Sequence, residues 1–430
     1  MDAAGLHAGL DDAFAQVAGR FKRREARLRA RRCLQGMLAG LERTTGWSLA
    51  EHAGEATPDG MQRLFAAARW DADGVRDDIR DYAIAHLGDP DGVLVGDDTG
   101  FEKKGGCSAG VQRQYTGTAG KITNCQIGVF LGYAAPRGRV LLDRELYLPA
   151  ASWAADPARR ADAKVPEQVA FATKPQLLAV MIERAIAARV PFAWVTADEA
   201  YGDNGPLRRF LEARQLNYVL AVSRTHQFSA AGGRLRADAL ARKIPRTAWQ
   251  RLSCGPGAKG HRRYDWALVA STDPARHLLI RRSLHKPAEL AFYLCHSTTP
   301  ATVQQLVRVA GARWTIEECF QTAKNEAALD HYQVRLYPAW YRYITLAMLA
   351  LAFLVVTRAT SCGNTDPPDD HPSTSAGPVP ISANEIRRLF AALTRPPIDR
   401  HHIQHWSHWR LRHQTRARQR HYQRQDTKGH

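Results

Sequence analysis

The chain has 430 residues, 45% hydrophobic and 24% charged, which excludes a wholly disordered, collagen-like or mucin-like polypeptide and is long enough for more than one domain. Lys+Arg number 60 against Asp+Glu 42, a formal charge of +18 with pI near 9.9. That excess exceeds what a typical metabolic enzyme carries and points to a polyanionic partner. The seven cysteines, at positions 33, 107, 125, 254, 295, 319 and 362, are odd in number and contain no C-x-x-C pair. They disfavour a disulfide framework or a zinc ribbon and fit a reducing cytoplasm.

Residues 1–90 read as a helical N-terminal domain, rich in Ala, Leu, Arg and Asp. Asp11, Asp12 and the arginines interrupt any apolar leader. Arg20, Lys22, Arg23, Arg24, Arg27, Arg29, Arg31 and Arg32 are opposed only by Glu25. They form either a solvated helix face or a phosphate-contacting one. Phe21 and Leu28, seven apart, offer one narrow face for docking. Leu87-Gly88-Asp89-Pro90-Asp91-Gly92 is a turn that ends this domain.

The pattern then changes to strands. Gly92–Asp97, Ile127–Tyr133 and Arg139–Leu148 form three consecutive candidates, as in a meander. A helix is predicted over Lys174–Arg189, a strand over Phe192–Asp198, a helix over Pro206–Arg214 and a strand over Asn217–Val222. The order predicts an α/β fold with a mixed-sheet core in residues 91–222 and 306–358. Residues 223–305, rich in Arg, Trp and short β-like runs, read as a β-rich insertion subdomain. One long helix is predicted from Thr302 through Lys324 and another from Trp340 to Arg358. The latter contains the longest apolar stretch, Ile344–Val356, shorter than the roughly 18–20 residues of a membrane span, so no membrane partner is expected. Residues 359–380 read as a linker, and 381–430 as a helix followed by a basic tail. From Arg400 onward that tail holds eight Lys/Arg, seven His and a single Asp, a composition that orders on a polyanion.

Two predicted strands end in acid, Asp97 and Asp198, where α/β sheets collect functional groups. A third acid, Glu317, follows Arg313-Trp314 in a predicted helix. At about 100° per residue, Arg313, Glu317 and Lys324 fall within roughly 40° of one face. Singly, each feature also has a structural explanation: a turn cap for the aspartates, a surface ion-pair ladder for the glutamate. Combined with the positive charge, they fit three carboxylates binding two hard divalent ions while cations grip phosphate.

Long stretches resemble bacterial insertion-sequence transposases of the DDE class, in the insertion-sequence 701 group. They include Val93-Leu94-Val95-Gly96-Asp97-Asp98-Thr99-Gly100-Phe101, Gly110-Val111-Gln112-Arg113-Gln114-Tyr115-Thr116-Gly117, Asp143-Arg144-Glu145-Leu146-Tyr147-Leu148-Pro149, Trp194-Val195-Thr196-Ala197-Asp198-Glu199-Ala200-Tyr201-Gly202 and Arg313-Trp314 with Ile316-Glu317. The resemblance implies a ribonuclease-H-like catalytic core and cut-and-paste DNA transposition. It carries the catalytic, metal-binding triad over as Asp97, Asp198 and Glu317, with two Mg²⁺ or Mn²⁺ ions. The partners implied are double-stranded DNA, both terminal inverted repeats and target, and a second copy of the chain in the synaptic complex. The location implied is the cytoplasm, at the nucleoid.

A Tyr-Arg-Glu-Lys signature of related transposases matches Arg313, Glu317 and Lys324 in spacing, but its Tyr position falls on Ala310. Asp97 is preferred over Asp98 because strand neighbours face opposite ways. Lys103, Lys104 and Arg113 either contact phosphate or form a charged turn. Relatives stack a flipped base on an aromatic residue; Trp249 and Trp266 are either that residue or β-domain core. A nuclease that cuts without joining, and an inactive DNA binder, are the competing functions.

Overall fold

The structure is a computed structural model that describes residues 2–257, 260–361, 381–394 and 399–426. The predicted linker therefore lies, from residue 362 on, outside the described residues.

Five helices open the chain: α1 (Ala3–Ala18), α2 (Arg24–Leu38), α3 (Gly46–His52), α4 (Asp59–Ala66) and α5 (Ala72–Leu87). Side chains cap three of their N-termini: Asp2 on α1, Thr45 in a capping box on α3, Asp71 on α5. Helix α2 docks through Ala30, Cys33, Leu34, Met37 and Leu38. Phe21 is fully buried, whereas Leu28 is 45% exposed, so the expected Phe21–Leu28 face is not the docking face. Part of the arginine cluster is neutralised within the bundle, by Arg20–Asp78, Arg29–Glu55 and Arg31–Asp11 pairs.

The strands β1 (Val93–Glu102), β2 (Gln112–Thr116), β3 (Lys121–Ala135) and β4 (Gly138–Leu146) follow. β1 pairs antiparallel with β3 along its whole length, and β3 pairs antiparallel with both β2 and β4. After α6 (Pro157–Asp162) and α7 (Lys174–Ala187) comes β5 (Trp194–Ala197), parallel to the free edge of β1. Then α8 (Glu199–Gly202) and α9 (Gly205–Ala213) lead to β6 (Asn217–Val222), parallel to β5.

Residues 223–305 hold β7 (Gln227–Ala230), β8 (Gly233–Arg236), α10 (Ala237–Lys243), β9 (Gln250–Gly257), β10 (Gly260–Ala270), β11 (Arg276–Arg282) and β12 (Leu290–His296). β12 pairs antiparallel with β6, and the order continues β12-β11-β10-β9. The β-rich segment thus extends the central sheet to ten strands, while β7 and β8 form a separate hairpin.

The expected long helix over 302–324 is two helices, α11 (Val303–Ala312) and α12 (Trp314–Ala327), meeting at Arg313. Gly311 explains how α11 lies on β9: a Cβ there would overlap the Cys254 carbonyl, so only glycine allows that approach. Helix α13 (Tyr337–Ser361) is apolar on all sides and packs against α2, α4, α5, α12 and β4. At 25 residues it is long enough to cross a membrane, but 78% of its apolar window is buried within the fold, as in a core helix.

Helix α14 (Ala383–Leu393) and helix α15 (Arg400–Asp426) complete the described chain. The basic tail is therefore helical, with its root docked on the N-terminal bundle. Trp406 is fully buried and donates to the Glu55 carbonyl, and Arg410 pairs with Glu51. Composition alone hides this anchoring turn because it rests on long-range contacts.

Candidate active site

The register of the parallel pair fixes the centre of the site. β1 and β5 pair from Val93↔Trp194 to Gly96↔Ala197, and the next position on each strand is Asp97 and Asp198. There β5 ends, and Asp198 caps α8, its carboxylate accepting from the N–H groups of Ala200 (3.0 Å) and Tyr201 (3.4 Å). Gly202 lets α8 press on β6, since a Cβ would overlap the Ala221 carbonyl. The Asp97 carboxylate accepts from the Asp98 N–H at 2.7 Å. Burial, then the charges of Asp198 and Asp98, push the Asp97 carboxyl up to about 8. Burial and the Asp98 charge raise that of Asp198 as well, and Arg313 opposes the rise at both.

Asp98 has its own partners. Lys174 lies 3.0 Å from both its oxygens, and Tyr201 Oη donates at 3.1 Å. Burial holds the Tyr201 hydroxyl protonated, far above its ordinary value. Sequence reasoning missed Lys174 and Tyr201, and nothing local marks either as an aspartate partner.

Glu317 stands at one remove. Its carboxylate accepts from Arg313 Nη1 at 3.3 Å, and its side chain is 56% exposed. Among the described residues no three His, Cys, Asp or Glu side chains lie together as a ready metal-binding group. The structure brings Asp97 and Asp198 together, with Arg313 facing both and holding Glu317. The two aspartates fit a hard divalent cation by donor chemistry, while Glu317 is paired with Arg313. Ala310, at the signature's Tyr position, is fully buried in α11.

Of the remaining expected DNA contacts, Lys104 and Arg113 are exposed. Lys103 is engaged internally: its ammonium donates to the Tyr332 carbonyl at 3.0 Å and lies over the Tyr332 ring. Burial pushes it down to about 7. Lys324 donates to Thr99 Oγ1 at 2.8 Å, so both lysines bind the protein itself. Trp266 is corrected from base-stacking candidate to core. It is fully buried between Tyr264 and Tyr293, with no face open to a nucleotide. Trp249 is half-buried under the Arg282 guanidinium.

Paired aspartates at adjacent strand ends, inside a basic protein, have the donor chemistry that carboxylate-dependent nucleases use. The sequence matches the DDE superfamily endonuclease family over residues 16–287, and the chain belongs to that family. The matched span contains Asp97 and Asp198 and ends before Glu317. Within the family the chain is a transposase. It is 25% identical over 325 residues to the probable transposase for insertion sequence element IS701 from Microchaete diplosiphon, covering 70% of this chain and 76% of that protein. Among solved structures it is similar to the piggyBac transposase synaptic complex with hairpin DNA, at 12% identity and TM-score 0.48, over 94% of this chain and 84% of that one.

Proposed function

We propose that this transposase binds the terminal inverted repeats of a bacterial insertion sequence and cuts and rejoins DNA there, using Asp97, Asp198 and Glu317 as ligands for two Mg²⁺ or Mn²⁺ ions. The observation that carries the reading is the β1–β5 register, which sets two half-buried carboxylates at adjacent strand ends with raised proton affinity. Two ions held there would polarise the scissile phosphate and stabilise the attacking and leaving oxygens.

The protein's own groups do the rest. Asp97 and Asp198 supply a fixed pair of oxygen donors on rigid backbone. Arg313 moves from Glu317 to a phosphate oxygen, which frees Glu317 to join them. Exposed Lys104 and Arg113 steer the DNA backbone. A ribonuclease-H-like core is supported by the order β4-β3-β1-β5-β6, three antiparallel strands followed by two parallel to β1. On this reading residues 1–90 form a DNA-binding domain, two copies synapse two ends, and the work is done at the nucleoid in the cytoplasm.

The test uses purified protein, Mg²⁺ and a duplex of the inverted repeat flanking its own gene. Nicks at the end and joined products are expected, both lost in Glu317→Gln with binding retained. Cleavage without joining would make it a nuclease instead. Binding without cleavage would overturn the catalytic reading.

A further inference from the structure

Three arginines converge on one indole at the seam between the added strands and the catalytic helix. The guanidinium carbons of Arg262, Arg281 and Arg313 lie 5.1, 4.9 and 5.5 Å from the Trp314 ring centre. Arg281 also lies 4.6 Å from the ring of Tyr264, which stacks on Trp314 with 17° between planes. Arg262, Tyr264 and Arg281 come from β10 and β11; Arg313 and Trp314 come from the α11–α12 junction. All five are partly exposed.

The charges do not balance. Arg313 has Glu317, but among the described residues neither Arg262 nor Arg281 has a carboxylate partner. The neighbouring acids are taken: Asp265 by Arg251 and Arg282, Glu318 by Arg139. Burial, and after it the Arg262 charge, lower the proton affinity of Arg139. Arg262 Nε is also buried without a hydrogen-bond partner. Aromatic faces offset part of the repulsion and fix the planes of the guanidinium groups. What this arrangement lacks is an anion, and planar guanidinium forks match phosphate oxygens.

We propose that Arg262 and Arg281, held on the Trp314–Tyr264 stack beside Arg313, form a phosphate clamp that seats one DNA strand next to the catalytic carboxylates. This deepens the proposed function and rests on it. The clamp gives the added strands a direct task, delivering two cations from β10 and β11 to the edge of Glu317. Trp314 and Tyr264 act as positioning residues, since they set the guanidinium planes rather than touch the reacting phosphate.

The test uses the full chain carrying Asp97→Asn, which binds without cutting, and the inverted-repeat duplex as probe. Arg262→Gln and Arg281→Gln are each expected to weaken binding several-fold. Each should flatten the slope of log K against log salt by about one unit, the signature of one lost phosphate contact. Arg281→Lys should restore the slope but not the full affinity, because an ammonium keeps the charge and loses the stacked fork. With the catalytic residues unaltered, each of these arginine substitutions should raise KM for cleavage more than it lowers kcat. Matching thermal transitions exclude misfolding; should Arg281→Gln unfold, Arg262→Gln and Arg281→Lys decide. Unchanged affinity and slope in folded variants, with the wild-type protein cleaving DNA, would overturn the clamp alone. A wild-type protein that neither binds nor cuts this DNA would overturn the proposed function and the clamp with it.

Discussion

Lys324 of α12 donates to the Thr99 hydroxyl of β1 at 2.8 Å, tying the helix that carries Glu317 to the strand that carries Asp97. Thr99 also meets Thr118 at 3.2 Å. The pair lies two residues beyond the first aspartate, and burial lowers the proton affinity of the lysine. Thr99→Val removes the acceptor and leaves a half-buried ammonium without it. A loss of about 1.5–3 kcal/mol is expected, the range for a hydrogen bond to a charged group. Urea unfolding measures it, and an unchanged midpoint would show that the tie is incidental.

The raised Asp97 carboxyl gives metal-free protein a defined pH response. Its folded value, about 8, exceeds that of an unfolded aspartate, about 3.9. The folded state therefore keeps a proton that the unfolded chain releases. This contribution to stability is full below about pH 4 and is lost as pH rises through about 8. In chelator, the melting temperature of wild type should fall relative to Asp97→Asn between those limits. Parallel curves for the two proteins would refute the assignment. Divalent ions should narrow the gap at high pH, since they compete with the proton.

Asp143 and Glu145 form a structural network. Asp143, 3% exposed, pairs with Arg76 at 3.0 Å and Arg184 at 2.8 Å; Glu145 pairs with Arg184 at 2.6 Å and accepts from Tyr341 Oη. Asp143→Ala leaves the buried Arg76 without its closest carboxylate partner at that end. A cost of about 3–5 kcal/mol is expected. Calorimetry should show a large drop in melting temperature, with DNA affinity per folded molecule unchanged.

Trp406 anchors α15. Beyond it, Leu411 through Tyr422 are exposed and rich in arginine. Trp406→Ala should free the helix root from Glu51 and Glu55 and expose it to protease, at a cost of about 3–5 kcal/mol for a buried aromatic. Limited proteolysis read by mass spectrometry would locate new cuts near residue 400. An unaltered digest would mean that the arginine and histidine contacts suffice.

Local pattern revealed the strands of the core and the positions of Asp97 and Asp198, because apolar runs ending in acid are short-range signals. Alternation favoured Asp97 over Asp98; in the structure Asp98 is tied to Lys174 and Tyr201, and its charge still reaches Asp198. Residue type did not reveal where long cations point. Lys103 and Lys324 read as DNA contacts, yet each reaches a protein oxygen far along the chain. Trp266 read as either a stacking residue or core, and only tertiary packing decides. The break at Arg313 was invisible because no Gly or Pro sits at the junction itself; the backbone contact at Gly311 and the Thr315 hydroxyl on the Ala312 carbonyl lie beside it. Arg262 and Arg281 drew no notice because their meeting with Trp314 joins segments that are distant in sequence.

The bare backbone contact between Gly311 and Cys254 leaves no room for substitution. Any side chain at 311 would push the end of α11 off β9, the outermost strand of the sheet, two residues before Arg313, whose guanidinium holds Glu317.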